Sequence, residues 1–358
     1  MLGIRSDHAL GLEITDRRLL LAEVSKRRDG YHLQEIVQTA VPSEVMAEGK
    51  IKQLDTLVEL IKNSLQSANI RSKKVNLVVP SQFVVIRQLK LPDLPTAGLR
   101  KVIDFELQNT IHLPFEDPIY DVVKLGPVTA TLPAGDEADV SLALQKTEPE
   151  PQGPQAEVAL IASSRAAIDP FVEAATRAGL KPTSVDIRAL ALHRAFRTLC
   201  NESDGQTFMF VDVSEDATDI HIFHGDVLKF TRNIPMALDQ YKIDRERSKP
   251  LNVLDILTFL EENTDYRSYT NDLAYEIERS LNFFRYTLNN RDAALGTIIL
   301  SGVLPRSGVL ADLLSERLSG LMVFALPFPH LQLDESVREA GAMLCQYAIP
   351  IGLALKEV

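Results

Sequence analysis

The feature that most constrains the fold is an order of short apolar segments that occurs twice along the chain. Strand-like segments over residues 10–40 are followed by a helical pattern over 52–69 and by an apolar segment that begins at Val75. A second series begins at Phe208 and continues with strand-like segments over 219–223 and 227–231. A strand order that recurs within one chain indicates internal duplication. We therefore predict two related lobes, each built from a sheet and its covering helices.

The N-terminal series reads as three strands, a helix and a fourth strand, which is the element order of a ribonuclease H-like core. Asp29-Gly30 lies between two of these strands and is a hairpin turn signal, because glycine adopts positive φ without a steric penalty. The helix is predicted from apolar residues at i, i+3 and i+4 spacing. These residues are Leu54, Leu57, Val58, Ile61 and Leu65.

A segment between the two series fits neither lobe, and we predict that it forms an inserted α+β subdomain over residues 82–182. Within it, residues 126–156 are rich in proline, glycine, glutamate, alanine and threonine. Such a composition does not form a packed core, so we expect a long mobile loop there. The remaining predicted boundaries are 1–81 for the first lobe, 183–205 for a return to it, 206–334 for the second lobe with a helical part over 240–295, and 335–358 for a closing helix on the first lobe.

Composition excludes several classes of protein. The 358 residues carry a formal net charge of -11, which argues against a nucleic-acid-binding surface. The two cysteines, Cys200 and Cys345, are far apart and form no CxxC motif, so a reducing compartment without a structural zinc is expected. The N-terminus has no signal-peptide pattern, and no apolar run reaches the roughly 18–20 residues that span a bilayer. We expect a cytoplasmic protein.

Several short motifs, taken together in order and spacing, resemble those of PilM-type pilus assembly proteins across nearly the whole chain. The resemblance implies an α/β protein with a duplicated ribonuclease H-like, or actin-like ATPase, two-lobe fold and an FtsA-like inserted α+β subdomain over 82–182. It also implies a cytoplasmic scaffold of type IV pilus biogenesis. The motifs are Gly11-Leu-Glu-Ile-Thr, Lys90-Leu-Pro-Asp-Leu, Ile111-His-Leu-Pro-Phe-Glu-Asp, Val185-Asp-Ile-Arg-Ala-Leu, Val211-Asp-Val-Ser, Glu276-Ile-Glu-Arg-Ser-Leu and Leu300-Ser-Gly.

In the actin-like ATPase superfamily to which such proteins belong, ATP with magnesium lies between the lobes. It binds against small-residue turns and an adjacent acidic residue. This chain departs from the pattern: Glu13 replaces an Asp, Thr15 and Ser214 replace glycines, and Leu20 replaces a lysine. We therefore expect a degenerate nucleotide site without efficient hydrolysis. The residues that the resemblance places at the nucleotide are Glu13, Thr15, Arg17, Asp212, Ser214, Thr218, Ser301 and Gly302.

The resemblance also implies a partner, the N-terminal cytoplasmic tail of a PilN-like inner-membrane protein. That tail would bind as an extended peptide in a groove between the first core and the insert, with its apolar side chains in pockets. The candidate contacts are Arg87, Phe105 and Glu106. Other pilus or secretion components are further expected partners, nucleic acid is not, and the membrane would be reached only through partners.

Three alternatives remain open from the sequence. A GspL-like platform protein of type II secretion would continue into a membrane helix, whereas this chain stops at Val358. An active sugar-kinase-like or Hsp70-like ATPase would need intact glycine turns and a catalytic acid. An FtsA-like division protein would carry a C-terminal amphipathic membrane helix, for which the end of this chain is too short.

Overall fold

The computed structural model describes residues 8–127, 153–200, 205–241, 264–288, 290, 293–304 and 307–356. The chain divides into two compact units. The larger unit consists of Met1–Gln82 with Ala167–Val358, and the smaller unit consists of Phe83–Ala166. Most of the loop predicted over 126–156 lies outside the described residues, as do residues 242–263 of the predicted helical part.

The described residues form sixteen strands and seven α-helices. The strands are β1 (His8–Ile14), β2 (Arg18–Arg27), β3 (Gly30–Ala40), β4 (Met46–Ala47), β5 (Lys50–Ile51), β6 (Lys74–Val79), β7 (Val85–Pro92), β8 (Pro118–Pro127), β9 (Gln155–Ser164), β10 (Lys181–Ile187), β11 (Thr207–Val213), β12 (Thr218–His224), β13 (Val227–Ile234), β14 (Leu295–Gly302), β15 (Met322–Ala325) and β16 (Leu331–Leu333). The helices are α1 (Leu54–Gln66), α2 (Thr96–Asn109), α3 (Arg165–Arg177), α4 (Arg188–Cys200), α5 (Thr264–Asn282), α6 (Ser307–Arg317) and α7 (Ala348–Ala354).

Two sheets of the larger unit repeat one topology. The first sheet has the order β10-β6-β1-β2-β3-β16, and the second has the order β13-β12-β11-β14-β15. In the first, β1, β2 and β3 form an antiparallel meander, and β6 and β10 run parallel to β1. In the second, β11, β12 and β13 form the same meander, and β14 and β15 run parallel to β11. The predicted duplication of a ribonuclease H-like core is therefore confirmed.

Helices cover both faces of the first sheet, as expected where parallel strands are apolar on both sides. Helix α1 packs Leu57 and Ile61 into one core, which Phe171 of α3 joins. Helices α4 and α7 form the core on the opposite face, where Leu199 and Ile351 lie among residues of β2 and β3. The apolar stripe of α1 occupies the positions that its periodicity predicts.

The second sheet packs one face against α5 and α6, which contribute Leu273, Ile277 and Leu314 to its core. Its other face carries an aromatic group that meets α4. The ring of Phe196 lies 5.6 Å from that of Phe210 in an edge-on arrangement, a favourable geometry for aromatic pairs. Helix α4 thus contributes apolar side chains toward both sheets of the larger unit, which positions its first residue, Arg188, between them.

The smaller unit is a three-stranded antiparallel sheet of order β7-β9-β8 covered by α2. Leu99 and Ile103 of α2 are fully buried against Val122 of β8 and Val158 of β9. This unit has its own apolar core, which agrees with an inserted α+β subdomain.

The insert is shorter than predicted at its C-terminal end. We placed its end at residue 182, whereas the smaller unit ends at Ala166. The difference arises because α3 buries Phe171 and Ala174 in the core of the first sheet, and because β10 pairs with β6 in that sheet. The segment after Asp334 also differs from a single closing helix, since 3-10 turns over Glu335–Tyr347 precede the short helix α7. In the described part of the chain, no helix is both long enough and apolar enough to cross a bilayer.

Candidate functional site

Two hairpin turns, one from each sheet, have matching hydrogen bonds. In the β1–β2 turn, the Thr15 amide donates to the Arg18 carbonyl at 2.8 Å and the Thr15 hydroxyl accepts from the Arg18 amide at 3.1 Å. In the β11–β12 turn, the Ser214 amide donates to the Ala217 carbonyl at 2.8 Å and the Ser214 hydroxyl accepts from the Ala217 amide at 3.1 Å. Each hydroxyl therefore closes its own turn, which is the local bonding that Ser and Thr favour in turns.

Ion pairs connect these two turns to each other. The Arg17 Nε atom lies 3.0 Å from Asp216 Oδ1, and the same guanidinium also pairs with Asp239. Arg18 pairs with the buried carboxylate of Glu215. Arginines of the first sheet thus bind acids of the second at the tips of both hairpins, where each guanidinium presents several donors in a fixed plane.

Behind the turns, Arg188 binds carboxylates from three strands. Its guanidinium pairs with Glu13 of β1 and with Asp212 of β11, and its Nε atom lies 3.1 Å from Asp219 Oδ2 of β12. We call these four residues the Arg188 cluster. All four are buried. The cluster links the first sheet, through Glu13, to the second sheet, through both aspartates.

The two aspartates of the cluster also accept hydrogen bonds from neutral donors. The Ser301 hydroxyl donates to Asp212 Oδ1 at 2.7 Å. The Asn233 amide donates to Asp219 Oδ1 at 2.8 Å, and the Ser81 hydroxyl donates to Asp219 Oδ2 at 2.8 Å. These bonds satisfy carboxylate lone pairs that would otherwise be costly to bury.

Burial and charge act together on the pKa values of this cluster. Burial raises the pKa of Glu13, and the negative charge of Asp212 adds to the rise while Arg188 opposes it. Burial by itself would lower the pKa of Arg188, but the carboxylates of Glu13, Asp212 and Asp219 raise it well above its ordinary value. Arg188 is therefore a permanent cation at the centre of an acidic cluster.

The third predicted turn lies against the second. Gly302 has a φ of +86°, and a Cβ atom at this position would lie 2.1 Å from the Val213 carbonyl oxygen. The Val303 amide donates to that same oxygen at 2.7 Å. Only glycine fits this close approach, so Gly302 brings the end of β14, with Ser301, against Asp212.

The structure brings some of the predicted nucleotide residues together and separates others. Glu13, Asp212 and Ser301 meet in or beside the Arg188 cluster. Thr15, Arg17 and Ser214 lie in the two ion-paired turns, Gly302 lies behind them, and Thr218 is fully buried on β12. Their assignment to a nucleotide stays a prediction.

The predicted partner contacts are all in the smaller unit. Arg87 of β7 donates to the carbonyl oxygen of His112 at 3.2 Å. Phe105 and Glu106 lie on α2, where Phe105 is 64% exposed and Glu106 is half-buried.

Sequence reasoning missed Arg188, Arg18, Glu215 and Asp219. One signal could have revealed the cluster: the short turn after Val213 sets a hairpin register that places Asp212 directly opposite Asp219. Two like charges at opposed positions are unfavourable unless a cation lies between them. No local pattern indicates that the cation comes from Arg188, since the arginine is distant along the chain and reaches the site only through the fold.

Magnesium with a nucleotide does not fit these residues as they stand. Mg²⁺ needs free oxygen ligands, whereas the carboxylates here bind a guanidinium and neutral donors. Among the described residues, no group of His, Cys, Asp and Glu is arranged to hold a metal ion. The cavity in front of Arg188, lined by Thr15, Ser81 and Ser214 among others, has a volume of about 80 Å³. Small-molecule sites are usually about 300–1,000 Å³.

Fold and site together define the class: a protein of actin-like fold with an arginine among the acids that lie between its two sheets, the region that we call the cleft. A family model described as type IV pilus assembly protein PilM matches residues 11–137 and 132–358. The chain belongs to this family.

Solved structures agree with this fold. The chain is similar to one in a PilM–PilN type IV pilus biogenesis complex, with a TM-score of 0.73 and 24% identity over 98% of both chains. A weaker likeness is to the ethanolamine utilization protein EutJ from Carboxydothermus hydrogenoformans, with a TM-score of 0.48 and 12% identity over 98% of this chain and 90% of that one. Another is to the cytoplasmic domain of EpsL, an inner-membrane component of the type II secretion system of Vibrio cholerae, with a TM-score of 0.36 and 10% identity over 65% of this chain and 72% of that one.

Proposed function

We propose that this protein is a scaffold of type IV pilus assembly that binds the N-terminal cytoplasmic tail of a PilN-like inner-membrane protein. The observation that carries this proposal is family membership over almost the whole chain, together with the full-length likeness to a chain in a PilM–PilN complex. A protein in this role works on the cytoplasmic side of the inner membrane and reaches the membrane through its partner.

The smaller unit offers a docking residue for such a tail. Phe105 lies on α2, on the side away from the buried Leu99 and Ile103, and exposes most of its ring. A large exposed aromatic side chain is a common anchor for a partner, because covering it removes apolar surface from water. Glu106, the next residue along α2, and Arg87 on β7 supply charges of both signs for the polar groups of an extended peptide.

Docking in this proposal does not need a nucleotide. The turns that would face phosphate are bound to each other through Arg17 and Arg18, and the Arg188 cluster joins both sheets without an added ion. The protein then acts by holding its partner and not by hydrolysing ATP.

The test is a binding titration of the purified full chain with a fluorescent peptide that copies the cytoplasmic N-terminus of the PilN-like protein from the same genome. We expect micromolar affinity without nucleotide and no change when ATP with magnesium is added. Phe105→Ala is expected to weaken binding by about tenfold or more, the typical effect of removing an aromatic anchor.

The matched control is Tyr275→Ala, which removes a 61% exposed aromatic ring from α5 in the larger unit. It should leave the affinity unchanged. Failure of the folded protein to bind the tail of any PilN-like protein would overturn the proposed partner. Equal affinities of Phe105→Ala and the wild type would instead place the docking surface elsewhere.

A further inference from the structure

The Arg188 cluster has a charge arrangement that the proposed scaffold role does not require. Three buried carboxylates from three strands converge on one point, and two of them, Asp212 and Asp219, are directly opposed in the sheet. Carboxylates brought this close repel one another in a buried site, so a cation among them stabilises the fold. In this chain the cation is a side chain.

The position of Arg188 in the fold makes it a permanent part of the cleft. It is the first residue of α4, directly after β10 of the first sheet. Its helix is held by Leu192 and Phe196, which are buried in the interior. The guanidinium is therefore tethered to the cluster by a fixed backbone, in contrast to an ion that exchanges with solvent.

We infer that Arg188 is a built-in cation that joins the two sheets in place of a divalent metal ion, and that it makes closure of the cleft independent of metal. Three of its nitrogen atoms reach the three acids. Ser301, Asn233 and Ser81 complete the hydrogen bonding of Asp212 and Asp219. The inference concerns the larger unit alone and does not depend on what binds to the smaller one.

This inference predicts a latent metal site beneath the arginine. Arg188→Ser removes the guanidinium and leaves a polar space that is lined by three carboxylates, which are preferred ligands of Mn²⁺ and Mg²⁺. In EDTA this variant should melt several degrees below the wild type, because three acids are left without their cation. Saturating MnCl₂ should raise its Tm by about 5 °C or more, since only the folded form binds the ion.

The comparison variants separate a specific site from general ion effects. Wild-type protein and Arg188→Lys, which keeps the positive charge, should show no Mn²⁺ dependence of Tm. Arg177→Ser is the matched surface control, since Arg177 is an exposed arginine that pairs with Asp55 and Glu173. In Arg188→Ser/Asp212→Asn, the loss of one carboxylate should weaken the Mn²⁺ response by at least about tenfold in concentration.

Two results would overturn the inference. One is stabilisation of the wild type or of Arg188→Lys by Mn²⁺ to the extent expected for Arg188→Ser, which would mean that an ion binds beside the arginine. The other is a folded Arg188→Ser protein without any Mn²⁺ response. If Arg188→Ser folds only in the presence of Mn²⁺, the inference is supported. If it remains unfolded with and without Mn²⁺, electron paramagnetic resonance of Mn²⁺ added to the wild type and to Arg188→Lys decides. Bound Mn²⁺ in either protein would then count against the inference.

Discussion

Single side chains determine how the two sheets of the larger unit are joined. Arg188 binds one acid of the first sheet and two of the second, while Arg17 and Arg18 bind acids at the hairpin tips. The tip pair of Arg17 and Asp216 is partly exposed and contributes little, because surface ion pairs are worth roughly 0–1 kcal/mol. The buried cluster matters far more, because removing one member of a buried pair lowers the free energy of unfolding by about 3–5 kcal/mol.

His193 is expected to make the stability of the protein depend on pH. Its ring stacks on Phe223 at 4.3 Å, and burial lowers its pKa below the ordinary histidine value of 6.5. The folded protein therefore binds this proton less readily than the unfolded chain. The contribution of neutral His193 to the free energy of unfolding is complete above about pH 6.5. It is lost as the pH falls through the pKa of His193 in the folded protein.

We expect His193→Gln to reduce the loss of stability on acidification between about pH 8 and pH 5.5. Urea unfolding at a series of pH values measures this slope, and the constant loss of ring stacking does not affect it. Leu314→Ala, which removes a buried apolar side chain of α6 and no titratable group, should keep the wild-type slope. A wild-type slope in His193→Gln would contradict the assignment.

Among the secondary-structure elements, the packing of α7 is the most demanding. A Cβ atom on Gly352 would lie 1.9 Å from the carbonyl oxygen of Ala191 in α4. The backbones of α7 and α4 therefore meet directly. This contact holds α7 against the first sheet, where its residues Ile351 and Ala354 are buried. Glycine is needed here for space and not for an unusual φ angle.

Gly352→Ala should destabilise the protein by about 1–3 kcal/mol or more, because two backbones must separate to admit a methyl group. The matched control is Gly308→Ala in α6, where the added methyl group meets no atom within 4 Å. That change should be neutral or stabilise by up to about 1 kcal/mol through helix propensity. Urea unfolding of the three proteins provides the comparison, and equal midpoints would refute the steric argument.

Elements with a local signal were predictable, and those that depend on distant contacts were not. The apolar spacing of Leu57, Val58 and Ile61 predicted α1, and the repeated strand order predicted both sheets. The predicted C-terminal boundary of the insert was wrong, because the pairing of β10 with β6 joins segments that are separated by the entire smaller unit. Arg188 was missed for the same reason, since its three acids lie on other strands.

The whole molecule contains two compact units with separate apolar cores. The core of the smaller unit includes Leu99, Ile103 and Leu160, and that of the second sheet includes Leu273 and Leu314. Each core is formed by side chains of its own unit, so the two cores can lose stability independently.

Leu99→Ala should lower the stability of the smaller unit by about 2–5 kcal/mol, because it leaves a cavity beneath α2. Hydrogen exchange followed by mass spectrometry is expected to show faster exchange in α2, β7, β8 and β9, with β11 and β14 unchanged. Leu314→Ala in α6 is the reciprocal variant and should affect β11 and β14. Equal acceleration of both regions by Leu99→Ala would show that the units unfold together.

The buried arginine also restricts the evolutionary paths open to this sequence. A descendant that loses Arg188 first retains three buried acids without their cation, and one that loses Glu13 or Asp212 first retains a partly unpaired guanidinium. Either intermediate loses several kcal/mol of a free energy of unfolding that is rarely above about 15 kcal/mol. The four residues are therefore expected to be inherited or replaced together.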